Sequence, residues 1–187
     1  NYPHNPSGRI ATADWLHTVC QHCSDNDIRL FNDAAYFSLS HSEDSATLAE
    51  VAIDYPDLSW AEAYTAAKLI GNGTGWHVGA MIGSPDFMAD VKEVKGKTDA
   101  GIVAPMAAGA IAALEEDQVG IAQYREMYRA RLDSLIGVMS DCGMRIAAQP
   151  QAGFYTLWEA PSRAFGERMD SSEAFNFAMI DKAGVVG

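Results

Sequence analysis

The spacing of apolar residues predicts that helices and strands alternate in the first half of the chain. Apolar residues recur every three or four positions over about residues 13–23, which is typical of an amphipathic helix, and Thr12 is placed to cap it. Short apolar runs at 28–31 and 76–82 are typical of buried strands. Residues 58–67 fit either a strand or a helix.

The second half of the chain is predicted to be mostly helical. An alanine-rich run at 101–114 indicates a buried helix, and an apolar stripe over 117–139 indicates a long amphipathic helix that stops at Gly143. The remaining predicted elements are helices at 85–94 and 172–183 and strands at 146–148 and 154–158. This order predicts an α/β fold in which a second subdomain begins near residue 120.

Composition and charge exclude several classes of protein. Of 187 residues, 48% are apolar and 20% are charged, which is the balance of a folded chain and not of a disordered one. The net charge of −12 would repel nucleic acid and an anionic membrane surface. No apolar run is long enough to cross a bilayer. Because the three cysteines are an odd count and no leader pattern precedes Asn1, we expect a cytoplasmic protein without a disulfide framework.

One lysine stands in an unusual context. Lys68 has only uncharged neighbours for several positions on both sides. Apolar surroundings destabilise an ammonium group, so such a lysine is a candidate Schiff-base nucleophile. A lysine at the end of a strand that reaches for water is the other interpretation of the same pattern.

Three further polar residues follow or lie in rigid segments. Asp33 comes directly after a short apolar strand, with Tyr36 three residues later, and Asn5 lies in a loop with two prolines. A fixed carboxylate can hold a pyridinium proton, and a phenol can donate to a neighbouring ring oxygen. A turn aspartate and a packing tyrosine remain the simpler alternative.

Two shorter motifs are interpreted as structural. Cys20 and Cys23 form a single Cys-x-x-Cys pair without a second ligand pair at zinc spacing, so a half-buried helix face is favoured over a metal site. The glycines between residues 71 and 75 exclude regular structure there, and they lack the lysine and hydroxyl residue of a P-loop. We interpret this stretch as a tight bend after Lys68.

Taken together in order, several motifs resemble the class I and II pyridoxal-phosphate aminotransferases. They are NYPHNPSG at 1–8, NDAAYFSL at 32–39, TAAK at 65–68, TGWHVG at 74–79, KGKTDAG at 95–101, RLDSL at 131–135, GFYTLW at 153–158 and AGVVG at 183–187. The resemblance covers almost the whole chain, and the ordered set is far more specific than any single motif.

The resemblance implies a particular fold. Residues 1–118 would be the C-terminal part of the large cofactor-binding domain of fold type I, with a mostly parallel sheet and flanking helices. Residues 119–187 would be a long connecting helix and part of the small α+β domain. Since the family has further sequence on both sides of these motifs, we expect the chain to be an internal piece of a longer enzyme.

The resemblance also implies roles for individual residues. Lys68 would form the internal aldimine, a Schiff base, with pyridoxal 5′-phosphate and then carry a proton between the substrate α-carbon and the cofactor. Asp33 would keep the ring nitrogen protonated, and Asn5 and Tyr36 would hydrogen-bond the 3-oxygen of the ring. Thr65 would contact the phosphate. These roles suit the use of the cofactor as an electron sink.

The sequence departs from the family at the phosphate end. The family carries an arginine after the lysine loop, whereas this chain has His77 one residue later than expected. A histidine offers neither the bidentate fork of arginine nor a permanent charge. Ala67 also replaces a serine that many relatives have.

The implied activity is transfer of an amino group between an amino acid and a 2-oxo acid, by a homodimer that binds neither nucleic acid nor membrane. Another reaction on the same scaffold, such as β-elimination, would use the same lysine, aspartate and tyrosine. A piece without catalysis of its own is the remaining alternative.

Overall fold

The computed structural model describes residues 1–71 and 73–187, which form helices and strands in alternation followed by a mainly helical segment. The helices are α1 (Ala13–Asp25), α2 (Leu48–Ala52), α3 (Ala66–Leu69), α4 (Pro85–Thr98), α5 (Ala104–Glu116), α6 (Gln118–Asp141) and α7 (Ser172–Ala183). The strands are β1 (Leu30–Asp33), β2 (Trp60–Thr65), β3 (Gly79–Gly83), β4 (Arg145–Ala148), β5 (Leu157–Glu159), β6 (Arg163–Ala164) and β7 (Glu167–Arg168). Single 3₁₀ turns lie at Phe37–Leu39 and Thr74–Trp76.

Strands β1, β2 and β3 form a mixed sheet in that order. β1 and β2 are parallel, with Asp33 opposite Ala63, whereas β3 is antiparallel to β2, with Gly79 opposite Thr65. Because β1 and β2 run in the same direction, Asp33 and Thr65 leave the sheet at the same edge, where α/β proteins bind ligands. The pairs β4–β5 and β6–β7 are separate antiparallel ribbons.

The core lies between α1, α2 and one face of this sheet. Its buried members are Ala11, Leu16, Cys20, Cys23, Leu48, Val51, Ala52 and Leu58. The predicted cap of α1 is confirmed, since the Thr12 hydroxyl accepts a hydrogen bond from the Trp15 amide. Cys20 and Cys23 face this core as the helix spacing predicts, and burial raises the pKa of Cys20 to about 11. Across residues 1–71 and 73–187 no cluster of side chains is suited to a metal ion.

Several elements differ from the sequence prediction in their bounds. The ambiguous segment 58–67 resolves into strand β2 followed by the short helix α3, which carries Lys68. Trp76 belongs to a 3₁₀ turn, so β3 begins three residues later than expected. The bend predicted for 71–75 is confirmed except at Asn72, which lies outside the described residues.

Burial of α5 was predicted wrongly. Only Ala110 of this helix is buried, while Ile111 is 55% exposed and Val103, its N-cap, 61% exposed. The helix is apolar all round, and a pattern without a polar face does not tell which sides other elements cover. The stripe of α6 does face inward at Leu132, although Leu135 is 43% exposed. None of the described helices has the length and apolarity needed to span a bilayer.

Candidate functional site

The site is organised at the edge where β1 and β2 end. Asp33 is the last residue of β1, and its carboxylate accepts a hydrogen bond of 3.3 Å from the Ala35 amide. The chain then turns so that Tyr36 precedes the 3₁₀ turn at Phe37–Leu39. The Ala34 amide donates to the Ala63 carbonyl, which extends the β1–β2 pairing to the start of this turn.

Lys68 lies directly beside Tyr36. It belongs to α3, where the Thr65 hydroxyl accepts a hydrogen bond from the Ala67 amide and so caps the helix. The Ser38 hydroxyl donates to the Lys68 carbonyl at 2.8 Å, which ties the two turns together. As a result, Lys68 Nζ lies 5.6 Å from the centre of the Tyr36 ring, a favourable cation–π distance.

Asn5 reaches the same tyrosine from the first loop. Its Nδ2 donates to the Tyr36 hydroxyl at 3.3 Å. The loop is closed on itself by backbone bonds from the His4 amide to the Arg9 carbonyl and from the Gly8 amide to the His4 carbonyl. Four residues predicted from the sequence, Asn5, Asp33, Tyr36 and Lys68, are therefore brought together.

A fifth residue, Tyr155, was not predicted. The Tyr36 hydroxyl donates to the Tyr155 hydroxyl at 3.4 Å, and their rings meet edge to face with centroids 5.7 Å apart. Phe154 makes a similar edge contact with Tyr36. The sequence offered only one signal for this contact, a pair of aromatic residues beside Gly153, and that signal does not distinguish a site contact from packing.

The surroundings of Tyr36 raise the pKa of its hydroxyl group. Partial burial, the hydrogen bond to Tyr155 and the charge of Asp33 raise the pKa of Tyr36 to about 12, while the bond from Asn5 acts in the opposite direction. The phenol is protonated at neutral pH, as an ordinary tyrosine is, and the raised pKa extends this protonated range to more alkaline pH.

We expect Tyr155→Phe to lower the pKa of Tyr36, because the variant removes the hydroxyl that holds the phenolic proton. One partly exposed hydrogen bond corresponds to a shift of about 0.5 unit. The shift is measurable by NMR titration of tyrosine labelled with ¹³C at Cζ. Tyr128→Phe is the matched control, since Tyr128 packs on Phe154 and has no described contact with Tyr36. An unchanged or raised Tyr36 pKa in Tyr155→Phe would contradict the role of this contact.

A pocket of about 330 Å³ lies beside α3. It is lined by Thr65, Ala67, Gly73, Thr74, His77, Val78 and Gly79. His77 is exposed and adopts a left-handed backbone with φ of 53°. Among the described residues that line the pocket there is neither arginine nor lysine, so His77 is its one titratable group.

The family model and the similar curated proteins all indicate one family, the aminotransferases. Residues 1–186 match the family Aminotransferase class I and II. The chain is 31% identical over 195 residues to an LL-diaminopimelate aminotransferase of Desulforudis audaxviator and 29% identical to that of Natranaerobius thermophilus. In each case all of this chain is matched to 45% and 46% of the relative, respectively. The chain therefore spans about half the length of these relatives.

Solved structures agree with this result. Apo-BacF from Bacillus subtilis is similar with a TM-score of 0.88 and 25% identity, over 100% of this chain and 48% of that one. The N-succinyldiaminopimelate aminotransferase from Mycobacterium tuberculosis is similar with a TM-score of 0.84 and 25% identity, over 100% of this chain and 47% of that one. The α/β arrangement described above thus corresponds to about half of each of these structures.

Proposed function

The chain belongs to the class I and II aminotransferases, and from this premise we propose that it carries the catalytic lysine of an enzyme that moves an amino group between an amino acid and a 2-oxo acid. One observation supports the proposal above others. The amine of Lys68, the phenol of Tyr36 and the amide of Asn5 converge from three separate segments. The carboxylate of Asp33 lies close enough to act on the pKa of the same phenol.

This donor set fits pyridoxal 5′-phosphate at the ring. An amine can hold the aldehyde carbon, a carboxylate can hold the proton of a pyridine nitrogen, and a phenol with an amide can bind a ring oxygen. When bound, the cofactor supplies an electron-poor ring that stabilises negative charge at the substrate α-carbon. The residues that would hold it are Lys68, Asp33, Tyr36 and Asn5.

The side chains of this site would transfer protons and orient the reacting groups. Lys68 Nζ, when neutral, accepts a proton from the substrate carbon and returns it at the next step. The Asp33 carboxylate would hold the proton of the pyridine nitrogen, and the hydrogen bond that it accepts from the Ala35 amide orients it. Tyr36 is protonated at neutral pH, and its hydroxyl, which donates to Tyr155 in the structure, would donate to the ring oxygen instead when the cofactor is bound. The rings of Phe154 and Tyr155 pack edge to face against the ring of Tyr36 and hold it in place.

At the phosphate end the fit is weaker. Thr65 and Thr74 offer hydroxyls, and His77 offers an imidazole whose charge depends on pH. We propose that His77 takes the position of the phosphate-binding cation in this chain.

We expect His77→Arg to tighten binding of pyridoxal 5′-phosphate by about tenfold, because one charge-assisted hydrogen bond to a phosphate is worth about 1.5 kcal/mol. Isothermal titration with pyridoxal, which lacks the phosphate, should show little change. His22→Arg, an exposed histidine on α1, is the matched control. If His77→Arg tightened the binding of both ligands equally, or if His22→Arg also tightened binding, the added charge would not act through the phosphate at position 77.

The names of the relatives suggest a substrate class. Since they are called LL-diaminopimelate aminotransferases, we propose a diamino dicarboxylic acid such as LL-diaminopimelate as amino donor and a 2-oxo acid as acceptor. We propose that this reaction serves amino-acid biosynthesis. We further propose a cytoplasmic homodimer in which residues 1–118 belong to the cofactor-binding domain and 119–187 to the connecting helix and small domain.

The experiment uses the chain with pyridoxal 5′-phosphate and LL-diaminopimelate. We expect micromolar binding of the cofactor, which shifts its absorbance band and is followed by spectrophotometry. When the amino acid is added, we expect conversion of the cofactor to its amine form, which mass spectrometry detects. Release of ammonia in place of cofactor amination would indicate a lyase. Failure to retain the cofactor would indicate a piece that has no catalysis of its own.

A further inference from the structure

A carboxylate that the proposed chemistry does not use lies at the centre of β2. Glu62 is fully buried, with an exposed fraction of 0%. It faces the core side of the sheet, paired in register with Asn32 of β1, whereas the neighbouring Asp33 faces the open side. A buried carboxylate is costly unless hydrogen bonds and charge-stabilising groups surround it.

Four donors surround this carboxylate. Oε1 accepts from Asn32 Nδ2 at 2.7 Å and from the Leu48 amide at 2.9 Å. Oε2 accepts from the Ala49 amide at 3.0 Å and from the Tyr64 hydroxyl at 2.8 Å. Burial and this bond raise the pKa of Tyr64, so the phenol remains a donor. The set matches the capacity of an ionised carboxylate, which only accepts.

The carboxylate determines which way the Asn32 amide points. Because Glu62 only accepts, Nδ2 of Asn32 must face it, and Oδ1 must face away. In this orientation Oδ1 accepts from the Tyr2 amide at 2.7 Å, and Nδ2 also donates to the Tyr2 carbonyl at 3.0 Å. The reverse orientation would set oxygen against oxygen at both Glu62 and Tyr2.

A short closed loop connects Tyr2, which Asn32 holds by hydrogen bonds, to Asn5. The Tyr2 ring packs on Trp15 with centroids 4.8 Å apart, which fixes the start of the loop on α1. The bond from the His4 amide to the Arg9 carbonyl closes the loop around Asn5. Asn5 then donates to the hydroxyl of Tyr36.

We infer that Glu62 is a positioning residue: through Asn32 and Tyr2 it holds the Asn5 amide on the Tyr36 hydroxyl, from the side of the sheet opposite to the site. The inference rests on the proposed function only for the importance of Asn5 and Tyr36 to the cofactor. None of these contacts involves a ligand atom, so the inference can be tested on the cofactor-free protein.

The test measures the pKa of Tyr36 in the cofactor-free protein by NMR of ¹³Cζ-labelled tyrosine. The bond from Asn5 lowers this pKa, so Asn5→Ala should raise it. Glu62→Gln replaces one carboxylate oxygen with an NH₂ group, which would face the hydrogen-bond donors around Glu62. It should raise the pKa of Tyr36 by a similar amount, about 0.5–1 unit for one hydrogen bond. In the double variant the two effects should not add.

Two further variants keep the test decisive. Asn32→Ala breaks the same connection without a new buried polar group, and it serves if Glu62→Gln does not fold. Tyr64→Phe is the matched control, since it removes a partner of Glu62 but leaves the path to Asn5 intact. A folded Asn32→Ala protein with an unchanged Tyr36 pKa, or an equal shift in Tyr64→Phe, would overturn the inference.

The result is separate from that for the proposed function. If pyridoxal 5′-phosphate does not bind, the Tyr36 titration still reports whether Glu62 positions Asn5. If the cofactor binds, Asn32→Ala and Asn5→Ala should weaken it by the same factor, while Tyr64→Phe should not. Unequal losses for Asn32→Ala and Asn5→Ala would contradict the proposed path.

Discussion

Replacing Lys68 with alanine is expected to slow amino transfer from substrate to cofactor by at least about 10²–10⁴-fold, the usual contribution of a positioned proton carrier. Two functions are lost together, because the same Nζ is the proposed point of attachment and the proposed base. The measurement is a single-turnover reaction with pyridoxal 5′-phosphate and LL-diaminopimelate. Borohydride reduction followed by peptide mass spectrometry checks the attachment separately.

Two control variants define what the lysine contributes. Lys68→Arg keeps a cation beside the Tyr36 ring but lacks a nucleophilic amine, so it should fail in the same way as alanine. Lys97→Ala removes an exposed lysine that pairs with Glu93 on α4 and should behave as the unaltered chain. Cofactor attached to any other lysine, or a rate that survives in Lys68→Ala, would remove Lys68 from the proposed role.

The second large effect is on stability. Gly8 has a φ of +66°, and a Cβ there would lie 2.6 Å from Pro150 Cβ and 2.9 Å from the Ala152 carbonyl oxygen. Gly8→Ala is therefore expected to lower the free energy of unfolding by about 2–4 kcal/mol, through backbone strain and forced separation of the two segments. Urea denaturation followed by circular dichroism gives this value.

A second glycine separates strain from collision. Gly166 also has a positive φ, +80°, but a Cβ there would meet nothing within 4 Å. Gly166→Ala should cost only about 1 kcal/mol, the penalty for an alanine in this backbone region. If both variants lost the same stability, the collision of the added Cβ with Pro150 would cost nothing beyond the backbone strain.

Local signals in the sequence predicted local structure well. The cap at Thr12 and the end of α6 before the left-handed Gly143 depend on neighbouring residues only, and the structure confirms both. The candidate residues Asn5, Asp33, Tyr36 and Lys68 came from motifs in order, and they do lie together. Their catalytic roles and the division near residue 119 stay predictions.

Contacts between distant segments could not be predicted in this way. Glu62 lies in a strand of small and aromatic residues, and a charged side chain between Ala61 and Ala63 is expected to be exposed, so its complete burial could not be predicted. Tyr155 reaches Tyr36 only because the chain folds back after α6. The exposure of α5 depends on which elements pack on it, and composition carries no such information.

The junction at Gly8 also has a kinetic consequence. The Gln151 amide donates to the Gly8 carbonyl, and the His41 amide donates to the Gln151 carbonyl, so three remote stretches of chain meet at one point. Closing such long loops loses chain entropy before any contact compensates for it, and folds with many remote contacts form slowly. We therefore expect the first loop, with Asn5, to dock late in folding, after the turn that carries Lys68 has formed.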